Sequence, residues 1–105
     1  MIIDERTYTC LPGKLPDFMN IYTNVGRPIQ WPILGSPLGM FVTDVGILNQ
    51  LVLWWRFDSM ADRELRRAEL AAAPGWGQYM ATALPFLAQQ ENRILVPTAL
   101  SPMKS

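Results

Sequence analysis

The stretch Gly46-Ile47-Leu48-Asn49-Gln50-Leu51-Val52-Leu53-Trp54-Trp55-Arg56-Phe57-Asp58-Ser59 decides the fold. From Leu48 to Phe57 it is rich in strand-forming residues and reads as a β-strand. Alternation puts Leu53, Trp55 and Phe57 on one face and Val52 and Trp54 on the other. An antiparallel strand with a solvated side shows one polar face, but this one is apolar on both. Helices can cover one face, and a chain this short has little left to cover the second. Asp58-Ser59 then opens a helix. Ser59 followed three residues later by Asp62 resembles a capping box with an acid one carbon short.

Working outward, Leu38 to Val45 is a second strand-like run, and Gly46 near the turn predicts an antiparallel hairpin with the strand just described. Ile2 to Cys10 is the first strand, stopped by Leu11-Pro12-Gly13. Leu15, Phe18, Met19, Tyr22 and Val25 recur at three- and four-residue steps and predict a helix over Lys14 to Asn24, with Pro16 in its first turn and Gly26 placed to end it. Gly26 to Pro37 holds three prolines and reads as an irregular connection with at most one helical turn, in which Trp31 and Ile33 tuck under the rest. Downstream, Asp62 with Arg66 and Glu64 with Arg67 read as a solvated helical face ending near Ala73. Pro74 starts a shorter helix carrying Trp76, Tyr79, Met80 and Ala83 on one side, and Pro85 ends or kinks it. Glu91 to Pro97 is the last strand, with Thr98 to Ser105 a loose tail. The order β-α-β-β-α-β is an α+β arrangement of the ferredoxin-like type: one antiparallel sheet with helices on one side, forming a single domain over residues 1–105.

Composition narrows the function classes. The chain has 105 residues, 9 Lys+Arg against 9 Asp+Glu, no His and 1 Cys. The balanced charge gives no general attraction to nucleic acid or anionic membrane. The longest unbroken apolar run, Leu51 to Trp55, is far too short to span a bilayer. Asp4 and Glu5 stand where a signal peptide needs a basic start, and a single cysteine suits a reducing interior, so a cytoplasmic location is expected. Without histidine, every Ser-His, Cys-His or His-metal scheme within the chain is excluded. The carboxylates match no calcium loop, and Gly35-Ser36-Pro37-Leu38-Gly39 lacks the Lys of a phosphate cradle, so neither a metal nor a cofactor is expected.

Three segments carry a resemblance. Ile3-Asp4-Glu5-Arg6-Thr7-Tyr8-Thr9 with Pro12-Gly13-Lys14 resembles the opening of the NIPSNAP-domain family. Gly46 to Gln50, Trp55 and Phe57-Asp58-Ser59 resemble its middle, and Glu91-Asn92-Arg93-Ile94-Leu95 with Pro97 its end. The resemblance covers nearly the whole chain, in the family's order. It implies a ferredoxin-like fold that pairs as a dimeric α+β barrel. The chain departs from the family where a His is common two residues before the Trp, a position held by Leu53, and where an aromatic hydroxyl is common, a position held by Phe57. Animal members look like mitochondrial and membrane-trafficking adaptors, while bacterial-type single-domain members mostly have no assigned activity; this chain looks like the latter.

The candidate site residues are Arg6, Tyr8, Gln50, Trp55 and Phe57. Phe41, Trp54, Trp55 and Phe57 form either helix core and dimer core, or an apolar pocket inside the barrel for a flat or fatty molecule. Arg6 and Tyr8 share a strand face and either orient a ligand carbonyl or phenolate, or join a structural pair with Asp4 or Asp44. Asn49 and Gln50 serve the turn backbone or a ligand amide, and Arg93 has the same two options. Cys10 has no base to activate it and reads as a small buried hydrophobe. Arg63, Arg66 and Arg67 read as part of a solvated face. Two functions are expected from this: a homodimer that binds a small apolar or aromatic ligand or a protein partner, or a cofactor-free monooxygenase or isomerase that uses Arg6 to stabilise an enolate-like charge.

Overall fold

A computed structural model of the protein describes residues 1–103. Its centre is β1 (Ile2–Cys10), flanked by β3 (Gln50–Phe57) and β4 (Leu87–Leu95), with β2 (Gly39–Val42) outside β3. The strand order is β2-β3-β1-β4 and every neighbouring pair is antiparallel. The single-sheet α+β architecture expected from the element order is therefore the one observed. Register fixes the two faces. Asp4 lies opposite Trp55 and Ile94, Arg6 opposite Leu53 and Asn92, and Tyr8 opposite Leu51 and Gln90. With a side-chain period of two, Ile2, Asp4, Arg6, Tyr8 and Cys10 share one face with Leu51, Leu53, Trp55 and Phe57. Ile3, Glu5 and Thr7 share the other with Val52 and Trp54.

The helices cover the first face, where Leu51, Leu53, Trp55 and Phe57 are almost wholly buried with Phe18, Tyr22, Leu34, Leu70 and Tyr79. One half of the helical layer is α1 (Leu15–Ile21), a π-helical turn over Tyr22–Gly26, and α2 (Arg27–Leu34). The other is α3 (Met60–Ala71) and α4 (Trp76–Ala83), followed by a 3₁₀ turn at Leu84–Phe86. Ser59 caps α3 as expected, accepting the Asp62 N–H at 3.1 Å. The Asp62 carboxylate reaches back to the Asp58 N–H at 3.0 Å, one residue earlier than in the standard box.

The expected break at Gly26 and the irregular stretch to Pro37 are both overturned: the helix runs on to Leu34. The reason lies in which donors are missing. Pro28 has no N–H for the Asn24 carbonyl, so the turn widens and the Arg27 N–H reaches Tyr22 O, five residues back. Gly26 keeps right-handed helical angles. What requires a glycine there is the Tyr79 ring, which a Cβ would meet at 2.5 Å.

The strand limits also shift. β2 stops at Val42, and the loop to Asn49 leaves Val45 91% exposed. Asn49, at φ 65°, takes the left-handed turn position, and its carbonyl accepts the Cys10 N–H at 2.8 Å. β4 begins at Leu87 rather than Glu91 and ends at Leu95, because its polar Gln89-Gln90-Glu91-Asn92 run occupies a sheet edge, where polar side chains are at home. Of the tail, the described part contains a turn closed by Ser101 N–H to Thr98 O at 3.1 Å; Lys104 and Ser105 lie outside the described residues. Among the described residues no helix is long and apolar enough to cross a membrane.

Candidate functional site

Asp4 sits on the helix-covered face in the middle of the sheet and is completely buried. A buried carboxylate survives only when its charge is answered. Here Arg6, two residues along the strand, approaches Oδ2 through Nε and Nη2, both at 3.2 Å. Arg63 Nε donates to the same oxygen at 3.0 Å, and Asn92 Nδ2 donates to Oδ1 at 3.2 Å. Burial alone pushes the Asp4 carboxyl up, but Arg6 and the donors from Arg63 and Asn92 outweigh it and hold the group below the usual carboxylate range.

The helical spacing that carries Arg63 inward also carries Arg67. Arg63, Arg67 and Leu70 stand at i, i+4 and i+7 on one face of α3, and Leu70 is core. The expectation of a solvated basic face is corrected for these two arginines. Arg66 alone fits it, pairing with Asp62 at 3.0 Å and donating to Leu34 O at the end of α2. Arg67 forms no ion pair among the described residues, and its Nη1 is buried without a hydrogen-bond partner. Burial, with Arg6 nearby, lowers its pKa.

Arg67 lines a cavity of about 70 Å³ between sheet and helices. Arg6, Tyr8, Leu51 and Leu53 form its floor, and Phe18, Tyr22, Gln30, Tyr79, Met80 and Ala83 form its roof. Leu84 and Gln90, both exposed, mark its mouth beside the β4 edge. The aromatic walls are braced by one another: Phe18 and Tyr22 are near-parallel at 6.5 Å between centroids, and Trp76 and Tyr79 lie 4.9 Å apart. The Trp31 indole donates to the Tyr22 hydroxyl at 3.0 Å, which in turn donates to Gln30 Oε1. That chain fixes the Gln30 amide and leaves its Nε2 unengaged among the described residues. Desolvation pushes the Tyr22 hydroxyl up to about 12 and Tyr79 higher still.

The five sequence candidates divide. Arg6 and Tyr8 line the cavity, and Arg6 also makes the anticipated pair with Asp4. Trp55 and Phe57 are packed in the core, 1% exposed each, and do not line the cavity; the Trp55 indole N–H has no acceptor among the described residues. Gln50 lies on the opposite face and donates to Thr9 Oγ1 at 3.1 Å. Arg67, Gln30, Tyr22 and Tyr79 also line the cavity, though the sequence pattern alone does not single them out as site residues. For Arg67 the signal was its spacing from Leu70; for Gln30 it was hidden by prolines that disguised α2. Cys10 is buried, which pushes its thiol up, away from nucleophilic use. Among the described residues no His/Cys/Asp/Glu group has the makings of a metal site.

Known proteins share this fold. A NIPSNAP family protein of solved structure from Agrobacterium tumefaciens is 38% identical, covers 98% of both chains and superposes with a TM-score of 0.93. An uncharacterised NIPSNAP domain protein from Burkholderia xenovorans is 36% identical over 98% of this chain and 100% of its own, with a TM-score of 0.92. The protein NipSnap of Drosophila melanogaster is 28% identical over 102 residues, which are 96% of this chain but 36% of that protein, so the chain spans about a third of that curated relative's length. A candidate antibiotic biosynthesis monooxygenase from Nitrosomonas europaea, 11% identical over 92% of this chain and 98% of its own with a TM-score of 0.66, shares the fold alone. The NIPSNAP family model itself matches residues 3–102, and the chain belongs to the NIPSNAP family.

Proposed function

We propose that this NIPSNAP chain is a homodimeric small-molecule-binding module whose ligand sits in the cavity between sheet and helices. The cavity itself carries the reading. Protein interiors are close-packed, so a space of about 70 Å³ walled by braced aromatic rings and open at a mouth stands out as a place where the inner end of a small ligand fits. The lining favours binding over the cofactor-free monooxygenase or isomerase alternative. Among the described residues, none around it is a carboxylate. Asp4 behind them is held ionised by its arginines, and the Tyr22 hydroxyl, at about 12, gives up its proton too reluctantly to serve as a base near neutrality.

Dimerisation is supported by the sheet's second face. Trp54 and Phe41 pack edge to face there with ring centroids 5.1 Å apart, beside Val52, and among the described residues no helix packs over them. A second copy turning the same face inward removes this surface from water at roughly 25 cal/mol per Å². The lone Cys10 suits placement of such a dimer in the cytoplasm. Filling the cavity tests the binding reading. Small aromatic compounds are expected to raise the melting temperature of the native protein by a few degrees, and Ala83→Leu, which fills the cavity, is expected to abolish that rise while leaving the free protein folded. An unchanged rise in the filled variant overturns the reading.

A further inference from the structure

Resting on that reading, we propose that the cavity takes the carboxylate of a small organic acid, held by the Arg67 guanidinium, with the acid's apolar body against Phe18, Tyr79 and Met80.

Three arginines face the interior around one acid. The Asp4 carboxylate is fully engaged: Arg6 and Arg63 share one oxygen at 3.2 and 3.0 Å, and Asn92 takes the other. Arg67 makes no ion pair among the described residues and feels the Asp4 charge only from a distance, and its Nη1 is buried with no acceptor. A buried guanidinium nitrogen without an acceptor is costly, and a carboxylate entering the cavity supplies one. The rest of the lining agrees in sign. Among the described residues the Gln30 amide donors have no acceptor, Tyr8 and Tyr79 bring hydroxyls, and no Asp or Glu lines the space. A planar carboxylate matches the guanidinium fork with two parallel hydrogen bonds. The space of about 70 Å³ takes the carboxylate and the first atoms of the apolar body, and the rest of that body extends through the mouth by Leu84.

Benzoate and isobutyrate, each against its neutral amide, test this in calorimetric titrations at pH 7. Both acids are expected to bind the native protein at least about tenfold more tightly than benzamide and isobutyramide. Arg67→Met is expected to erase the preference and to leave the ligand-free melting temperature unchanged or raised, since it removes an unpaired charge. Arg67→Lys keeps the charge and is expected to retain part of the preference. Amides that bind as well as the acids overturn the anion inference and leave the pocket reading standing. Binding of none of the four compounds overturns the pocket reading itself. Inorganic phosphate that displaces benzoate at equal concentration overturns the assignment to carboxylates. A marked fall in the ligand-free melting temperature of Arg67→Met shows a structural arginine and overturns the proposal.

Discussion

Arg63 Nε lies 3.0 Å from Asp4 Oδ2, joining α3 to the central strand across 59 residues of sequence. The contact links the two layers of the domain at the point where the sheet carries its only buried acid among the described residues. Because Arg6 answers the same oxygen, removing the carboxylate leaves two inward-facing cations without a partner.

Asp4→Asn is therefore expected to destabilise the fold by about 3–5 kcal/mol, the range for breaking one side of a buried ion pair. Urea unfolding of the two proteins measures it. A loss below about 1 kcal/mol contradicts the role given to Asp4.

The same cluster sets an acid limit. In the folded state the Asp4 carboxyl titrates below its ordinary 3.8, so its stabilisation is complete above that pH and is lost as pH falls through the lower folded value. The stability gap between the native protein and Asp4→Asn is expected to shrink below about pH 4. Tyr22 sets an alkaline limit of opposite sense. Its hydroxyl is raised from 10 to about 12, so the neutral form is favoured in the fold; that contribution is intact below pH 10 and is lost toward pH 12, by up to about 3 kcal/mol. Tyr22→Phe is expected to flatten this limb. A limb equally steep in the variant counts against Tyr22 as its source.

Gly26 is expected to tolerate no side chain. A Cβ there meets three ring carbons of Tyr79 at 2.5–2.9 Å, and that ring is itself confined by Trp76 and Tyr22. Gly26→Ala should cost about 1–3 kcal/mol through overpacking, and it should weaken ligand binding because Tyr79 is a wall of the cavity. Thermal melts and titrations check both; a neutral substitution means the helix slides more freely than its packing implies.

Self-association follows from the second sheet face. The native protein is expected to sediment at about twice 11.9 kDa at micromolar concentration, and Trp54→Asp at about the single-chain mass. That side chain packs on Phe41, and its indole donates to Glu5 Oε2 at 3.0 Å, so it sits at the heart of the proposed contact. A native monomer, or a Trp54→Asp dimer, removes the face from consideration.

Much of this architecture was legible in the residues. The two-faced Leu51–Trp55 run gave the sheet its core strand, and the period of two correctly grouped Leu53, Trp55 and Phe57 against Val52 and Trp54. Arg6 and Tyr8 were found as a pair for the same reason. α2 was hidden because Pro28 and Pro32 read locally as breakers, while packing of Gln30 and Leu34 into the core keeps the segment helical. Arg67 was hidden because i,i+3 and i,i+4 charge pairs look solvated whichever way the helix faces. Only the tertiary arrangement shows that Glu64 points outward and Arg67 inward. Trp55 and Phe57 were correctly placed on a face, but a face alone does not say which residues are packed shut and which border a space.

The most direct test of the account is to map where an organic acid lands. With benzoate added to ¹⁵N-labelled protein, the amide shifts are expected to move for Arg6, Tyr8, Arg67, Tyr79 and Ala83, around the interlayer cavity. Shifts confined to Phe41, Val52 and Trp54 on the opposite face, or no shifts at all, contradict it.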